Sequence, residues 1–351
     1  MGKTSFSIRI KRKVLQLLRI TNRPVVTLYH GYGNERQIVV YGHVFTMSPL
    51  PRKKYNRNIW TNIFALLRLF MVRTPRSAAL ELIMADTTLS GKIQDDGFFR
   101  FEWKPETPPV TGWHTVKVRL LSLNGKKIKG EVSGDGFVYV PDVHLFGIIS
   151  DIDDTFLISH SANLRKRLFV LLTENAQTRK PFDGVVNHYQ RLASGGRGPN
   201  EKNPFFYVSS SEWNLYPYIL EFSRVNHLPQ GVYLLNQLKT ISQVWKTGQN
   251  NHSTKFMRIV RILEAYPDQA FVLLGDDSQQ DPVIYASVVQ HFSSRIKAVY
   301  LRNVYHKNRE EVYASIDSIR NAGVECCHFT HSSEAVKHSI DIGLIGGAVY
   351  T

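Results

Sequence analysis

Hydrophobic and polar positions follow two different rhythms along this chain. From about Arg23 to Asp142, short runs rich in β-branched and aromatic residues (VVTLYH, QIVVYGHVF, HTVKVRLLS and GFVYVP) are separated by segments that read as turns, Asp95-Asp96-Gly97, Asn124-Gly125 and Gly134-Asp135-Gly136. Many short strands punctuated in this way predict a β-sandwich or small barrel. The exception is residues 51–72, where PRKKYNR precedes the apolar WTNIFALLRLFMV, a stretch that predicts an inserted or connecting helix.

After Asp142 the rhythm changes. The apolar runs LFGII, PFFYV, GVYLL, AFVLL and IKAVYL alternate with amphipathic stretches, which predicts βα units and a mainly parallel sheet. Residues 253–265 place Phe256, Ile259, Val260 and Leu263 on one helical face behind an N-cap at Ser253, and Pro267 ends the run. Residues 281–292 open with Asp281-Pro282, proline standing in the first turn where its missing N–H costs nothing. The Gly, Pro and Asn-rich loop Ser194–Pro204 leads into the strand PFFYV. The expected organisation is a basic amphipathic segment over 1–22, a β-rich domain over 23–142 and an α/β domain over 143–351, with no internal repeat.

Composition agrees with two ordinary globular domains: 351 residues, 43% hydrophobic and 21% charged. Charge changes the picture more. Lys and Arg outnumber Asp and Glu by 44 to 29, a formal +15 that draws the protein to polyanions. Charge alone does not choose between an anionic phospholipid membrane surface and nucleic acid, but the basic residues are dispersed and carry no recognisable nucleic-acid-binding motif, which ranks nucleic acid low. No protein partner is indicated. Residues 8–20 interleave Arg9, Lys11, Arg12 and Lys13 with Ile8, Ile10, Val14, Leu17 and Leu18, the pattern of a membrane-surface helix or of a docked terminal helix with a solvated basic edge. The adjacent Cys326 and Cys327 form neither a disulfide framework nor a zinc site, which suits a reducing compartment. With no spanning apolar run and no signal peptide, the expectation is a cytoplasmic protein, peripheral on the membrane if the basic segment binds there.

The strongest chemical signal is LFGIISDIDDT, residues 145–155, an apolar strand ending in Asp151-Ile152-Asp153-Asp154-Thr155. Carboxylates crowded at a strand end repel one another unless a cation sits among them, and a hard, oxygen-preferring ion such as Mg²⁺ suits them. Open parallel sheets bind ligands beyond the carboxyl ends of their strands, where these acids fall. In an extended chain Asp151 and Asp153 project to the same side, so one carboxylate can attack phosphorus while the other handles the leaving-group proton. The bland alternative is an acidic loop capping a helix. AFVLLGDDSQQD repeats the pattern with Asp276, Asp277 and Asp281, either a turn with Asp281 as N-cap or the other side of a metal site. PFFYV ends in Ser209-Ser210-Ser211, whose hydroxyls and backbone N–H groups can hold phosphate oxygens or simply cap a helix. Lys255, in the first turn of its predicted helix, either balances phosphate and aspartates or is an exposed helical lysine.

Asp-x-Asp-x-Thr after one strand, Ser after the next, a later Lys and Gly-Asp-Asp after another strand occur here in the order shown by haloacid-dehalogenase-type phosphatases, and residues 143 to about 345 resemble that fold. The closer resemblance is to the catalytic domain of actin-patch-type phosphatidate phosphatases. It is carried by ISDIDDT, FFYVSSSEWNLY, the turn Leu228–Gly231 and LLGDDSQQDPVIY, with TGWHTVKV and GFVYVPD resembling the β-rich region that precedes this domain in bacterial relatives.

The resemblance implies a haloacid-dehalogenase-like Rossmannoid parallel sheet with helices on both faces, after a β-rich sandwich or barrel. It implies Asp151 as nucleophile, Asp153 as general acid and then base, Ser209 and Lys255 as phosphate binders, and Asp276 as a Mg²⁺ ligand with the Asp153 backbone carbonyl; with Ser210 as a further phosphate-binding candidate, the expected metal set is Asp151, Asp153, Asp276 and Asp277. Two departures matter. Gly275-Asp276-Asp277-Ser278-Gln279 stands where the family usually has Gly-Asp-Ser-Gly-Gln, leaving open whether Asp277 supplements Asp276, and Leu235-Asn236-Gln237 replaces Leu-Arg-Asp, removing an arginine.

The implied reaction is Mg²⁺-dependent phosphomonoester hydrolysis through an aspartyl-phosphate, phosphatidate to diacylglycerol. Two alternatives stand beside it: a phosphatase for a soluble or protein phosphomonoester, and a non-catalytic phosphatidate-binding module, against which the presence of Asp153 argues. Arg165-Lys166-Arg167 and Arg179-Lys180, between Thr155 and Gly184, fall where such folds insert a cap, expected here to press on an anionic bilayer or to form a solvated basic helix.

Overall fold

The computed structural model describes residues 19–49, 68–142, 144–152, 181–195, 202–238, 252–277, 280–304 and 309–346. The amphipathic segment up to residue 18, most of the expected helix over 51–72, the basic cap, and Asp153, Asp154 and Thr155 lie outside the described residues. At the edges of those stretches, Ile20 enters a short strand and Arg68–Phe70 form one 3₁₀ turn. The chain divides into two compact units, the first drawn mainly from Met1–Val140 and the second made of Pro141–Gln237 and Gln249–Thr351. The architecture is mixed α/β, with a β-rich N-terminal region.

In the first unit β1 (Ile20–Thr21) pairs with β5 (Ser48–Pro49). The main sheet contains β2 (Val25–Leu28), β3 (Gly31–Gly33), β4 (Ile38–Phe45), β6 (Ala78–Met84), β7 (Thr87–Lys92), β8 (Phe98–Trp103), β9 (Gly112–Leu123), β10 (Lys126–Lys127) and β11 (Ser133–Val140). Its order is β2-β4-β3-β11-β9-β6-β7, with β8 on β4 and β10 on β9. Alternation builds the core: Ala78, Leu80, Leu82 and Met84 of β6 turn inward to join Val116, Val118 and Leu120 of β9 and Phe99 and Phe101 of β8.

Two of the expected turns form. Gly97 has φ +83° after Asp96, whose Oδ1 accepts the Phe98 N–H at 3.0 Å. Asn124 and Gly125 both have positive φ, as a tight two-residue hairpin between β9 and β10 requires. Gly134-Asp135-Gly136 is not a turn and lies inside β11. A Cβ on Gly134 would fall 2.4 Å from the Val26 carbonyl oxygen, and one on Gly136 would fall 2.6 Å from Leu28 Cβ. These glycines allow β11 to pack close to β2, and do not bend the chain.

The second unit is built on six parallel strands: β12 (Gly147–Asp151), β13 (Phe205–Glu212), β14 (Gly231–Asn236), β15 (Phe271–Asp276), β16 (Ile296–Arg302) and β17 (Glu325–Phe329). Between and after them come α1 (Val185–Ser194), α2 (Tyr216–Val225), α3 (His252–Ala265), α4 (Asp281–Phe292), α5 (Arg309–Asn321) and α6 (Ser332–Asp341). The order is β14-β13-β12-β15-β16-β17. The five expected apolar runs all become strands, and β12, β14 and β15 are buried along their whole length, as sheet strands covered on both faces should be. β17, with the sequence ECCHF, is a sixth strand that no apolar run announces.

Helix α3 starts at His252, so Ser253 lies inside it rather than at its cap, while α4 spans the residues expected. Gly195, just after Ser194, ends the helix: it is left-handed, and its N–H returns to the Arg191 carbonyl at 2.9 Å. Among the described residues no helix is long and apolar enough to cross a membrane.

From β12 the chain moves outward through β13 to β14, then returns to the other side of β12 as β15. Connections leaving the sheet in opposite directions open a crevice at the carboxyl ends of these central strands.

Candidate functional site

Asp151 is the last residue of β12 and is 1% exposed. Strand β15 lies beside it and ends in Asp276, which is wholly buried. Asp281 follows as the first residue of α4, also buried. Carboxylate oxygens of Asp151, Asp276 and Asp281 all lie within 4.8 Å of one another.

The cation among them is Lys255, brought in by the first turn of α3 and 3% exposed. Its Nζ donates to Asp151 Oδ1 at 2.7 Å and also to Asp281 Oδ1. Burial works against the ammonium, but the charges of Asp151 and Asp281 and their hydrogen bonds outweigh it, so the Lys255 pKa is raised. The sequence left Lys255 open to being an exposed lysine; it is not.

Behind Asp151, the Tyr189 hydroxyl lies 2.7 Å from Ser150 Oγ, which donates to the Asp151 carbonyl at 2.8 Å. Tyr189 is buried, which raises its pKa, so it stays a neutral hydroxyl pinning the end of β12.

One strand over, Asp151 is in register with Val208, so the serine run begins at the level just beyond the nucleophile candidate. Ser209 is fully buried, and its Oγ accepts the Ser211 N–H at 2.8 Å; Ser210 is half-buried.

Asp277 goes elsewhere. Just past the end of β15, its carboxylate accepts the Val304 N–H at 2.7 Å and meets His328 Nε2 of β17 at 3.1 Å. The residues brought together are therefore Asp151, Asp276, Asp281 and Lys255. The sequence left Asp281 open between a helix cap and one side of a metal site and did not place it in the expected ligand set; its signal was an acid in the first turn of a helix that starts just past a strand-ending aspartate.

The donor set fits a hard divalent ion. Asp281 Oδ2 is buried with no hydrogen-bond partner among the described residues, and the three converging groups all offer oxygen. Such an arrangement can hold Mg²⁺ and an anionic substrate beside a carboxylate.

Comparison with known proteins points to one family. Residues 146–303 match the family model described as phosphatidate phosphatase APP1, catalytic domain. Over 156 residues the chain is 27% identical to phosphatidate phosphatase APP1 of Saccharomyces cerevisiae, covering 44% of this chain and 25% of that protein. Over 172 residues it is 26% identical to an uncharacterized protein of Schizosaccharomyces pombe, covering 48% and 26%. The chain thus spans about a quarter of the length of these curated relatives. Among solved structures, a carbohydrate acetylesterase from Xanthomonas citri aligns with 84% of this chain and 73% of its own at 10% identity, with a TM-score of 0.27, too remote to bear on the fold.

Proposed function

We propose, from the premise that residues 146–303 belong to the actin-patch-type phosphatidate phosphatase catalytic-domain family, that the second unit is a phosphomonoester hydrolase with a haloacid-dehalogenase-like Rossmannoid fold, acting on phosphatidate to release diacylglycerol. The observation that carries this reading is Asp151 at a central strand end, bonded to buried Lys255 and clustered with Asp276 and Asp281.

In this reading the Asp151 carboxylate attacks phosphorus in line, and the departing alkoxide takes a proton from Asp153. Asp153 then accepts a proton from water, which attacks the aspartyl-phosphate at phosphorus, releases inorganic phosphate and regenerates Asp151. Ser209, Ser210 and Lys255 hold phosphate oxygens and keep the group aligned for both displacements. Asp151, Asp276 and Asp281, with Asp153, would hold Mg²⁺, which when bound supplies positive charge between the nucleophile and the phosphate. Asp277 is left out of this set because its carboxylate is engaged by Val304 and His328. The formal +15 supports recruitment to an anionic membrane surface, where the substrate resides.

The test is phosphate release from phosphatidate in mixed micelles, with and without Mg²⁺, from the native chain, Asp151→Asn and Asp153→Asn. Mg²⁺-dependent release abolished by both substitutions is expected. Release confined to soluble phosphate esters would keep the chemistry and discard the lipid; phosphatidate binding without turnover would turn the reading into a binding module.

A further inference from the structure

The ladder between β13 and β14 is interrupted where the serine run begins. Pairing runs as far as Val208 with Leu234 and resumes at Glu212 with Asn236, so Ser209, Ser210 and Ser211 bulge out opposite Leu235 alone. A bulge re-aims the residues it contains, and it leaves their backbone groups to find partners outside the ladder.

Arg258 supplies one. It stands three residues after Lys255 on α3, so the same side of this helix carries two cations toward the carboxyl edge of the sheet. Its NH1 donates to the Ser209 carbonyl at 3.2 Å, and its NH2 donates to Asn236 Oδ1 at 3.0 Å. Asn236 Oδ1 in turn accepts the Gln237 N–H at 2.9 Å, which fixes the amide at the end of β14. Both acceptors of Arg258 are neutral. Burial, and then the neighbouring Arg261, pull its pKa down to about 10, so it remains charged at neutral pH. A charged guanidinium placed here reads as a clamp between two strand ends.

The clamp has a consequence for the phosphate site. The Ser209–Ser210 peptide is trans and planar, so its C=O and N–H point in opposite directions. Holding the Ser209 carbonyl therefore fixes the direction of the Ser210 N–H. We propose that Arg258 is a positioning residue: with Asn236 as its second anchor, it locks the peptide plane of the serine bulge and so sets the phosphate-binding geometry of Ser209 and Ser210. This rests on the reading of those serines as phosphate binders. It also gives the second unit an arginine at the end of β14, contributed by α3 rather than by the strand itself.

The experiment compares native protein, Arg258→Ala, Arg258→Lys and Asn236→Ala for KM and kcat on a soluble phosphomonoester, and for competitive inhibition by inorganic phosphate. Arg258→Ala is expected to raise both KM and the inhibition constant by about tenfold, the scale of a lost hydrogen bond from a charged donor, with kcat moving much less. Lysine keeps the charge but reaches one acceptor at a time, so Arg258→Lys should recover part of the loss. Asn236→Ala should weaken phosphate binding less than Arg258→Ala, and the two changes together should be less than additive. An active Arg258→Ala protein with unchanged KM and unchanged phosphate inhibition overturns the proposal, whatever its melting temperature. Should that variant not fold, Arg258→Lys carries the same test, and native constants there overturn it equally. A native chain that neither hydrolyses a phosphomonoester nor binds inorganic phosphate defeats the functional reading itself, and the clamp's role with it.

Discussion

The carboxylate of Asp281 rests against the backbone of Gly275: a Cβ built on Gly275 would fall 2.7 Å from Asp281 Oδ2. The same Cβ would meet the Tyr285 ring at 2.7 Å, and that ring is held by its hydroxyl's bond to the Leu274 carbonyl at 2.8 Å. The side chain missing at 275 is thus what lets the first turn of α4 bring its acid over the end of β15. Gly275→Ala is expected to push Asp281 away from Asp151 and Lys255, at about 1–3 kcal/mol of overpacking strain. Mg²⁺ titration of activity would show the half-saturating concentration rising by about tenfold or more; an unchanged value would mean that the helix shifts without moving the carboxylate.

Asp281 and Asp277 make a second, discriminating pair. Asp281 Oδ1 is bonded to Lys255 and its Oδ2 is buried without a hydrogen-bond partner among the described residues, whereas Asp277 is bonded to Val304 and His328. Asp281→Asn should weaken Mg²⁺ dependence by about tenfold or more. Asp277→Asn should leave Mg²⁺ affinity near native and act on stability instead, since it disturbs the join between β15 and β17. The reverse ranking in Mg²⁺ titrations would put Asp277 in the metal set.

Acid sensitivity should come from buried histidines. Burial lowers His43 to about 3, and His188 falls to about 3 through burial first and then Arg302, Arg191 and His338. In the unfolded chain both titrate near about 6.5. Between those values the unfolded state binds a proton that the folded state refuses, so their contribution to stability is complete above the unfolded pKa and is lost as pH falls toward the folded one. His43→Phe removes one such group while costing the partner of the Tyr29 hydroxyl, now 2.9 Å from Nδ1. Urea unfolding across this pH range should show a flatter acid slope for the variant, by about one proton. A slope identical to native would show that His43 is not what the acid titrates.

Much of this molecule was legible from residue order because of where its strands lie. Phe271 to Asp276 is buried at every position, so it announced itself as a run, and its terminal acid marked the crevice. Glu325–Phe329 starts exposed and is fully buried only at Cys326 and Phe329, and its Glu325 and His328 broke any apolar signal. The site divided along the same line. Asp151 and Asp276 end strands, and Lys255 opens a helix, so local pattern reached them. Asp281 was visible as an acid of the same run, but its choice over Asp277 rests on the close approach over Gly275, and Arg258 enters only through a carbonyl freed by a bulge; neither contact has a period or a spacing. Gly134 and Gly136 misled for a related reason, since glycine serves close packing between strands as well as turns.

Lys255 sits between Asp151 and Asp281 with almost no access to water, and its counter-charge role and its proposed phosphate-binding role separate experimentally. As a structural counter-charge it offsets the repulsion of carboxylates that the fold has already gathered. As a phosphate binder it matters only with substrate. Lys255→Met keeps the length and apolar stem while deleting the ammonium, so in the metal-free protein the two carboxylates lose the cation they share, a change that costs about 3–5 kcal/mol when a buried pair is broken. A divalent cation can replace that charge. The melting temperature of Lys255→Met is therefore expected to fall well below native in chelator and to rise more steeply than native when Mg²⁺ is added, even though phosphatase activity stays low. Equal Mg²⁺ stabilisation of both proteins would show that the ion does not enter beside Asp151 and Asp281, and would separate the metal site from the lysine.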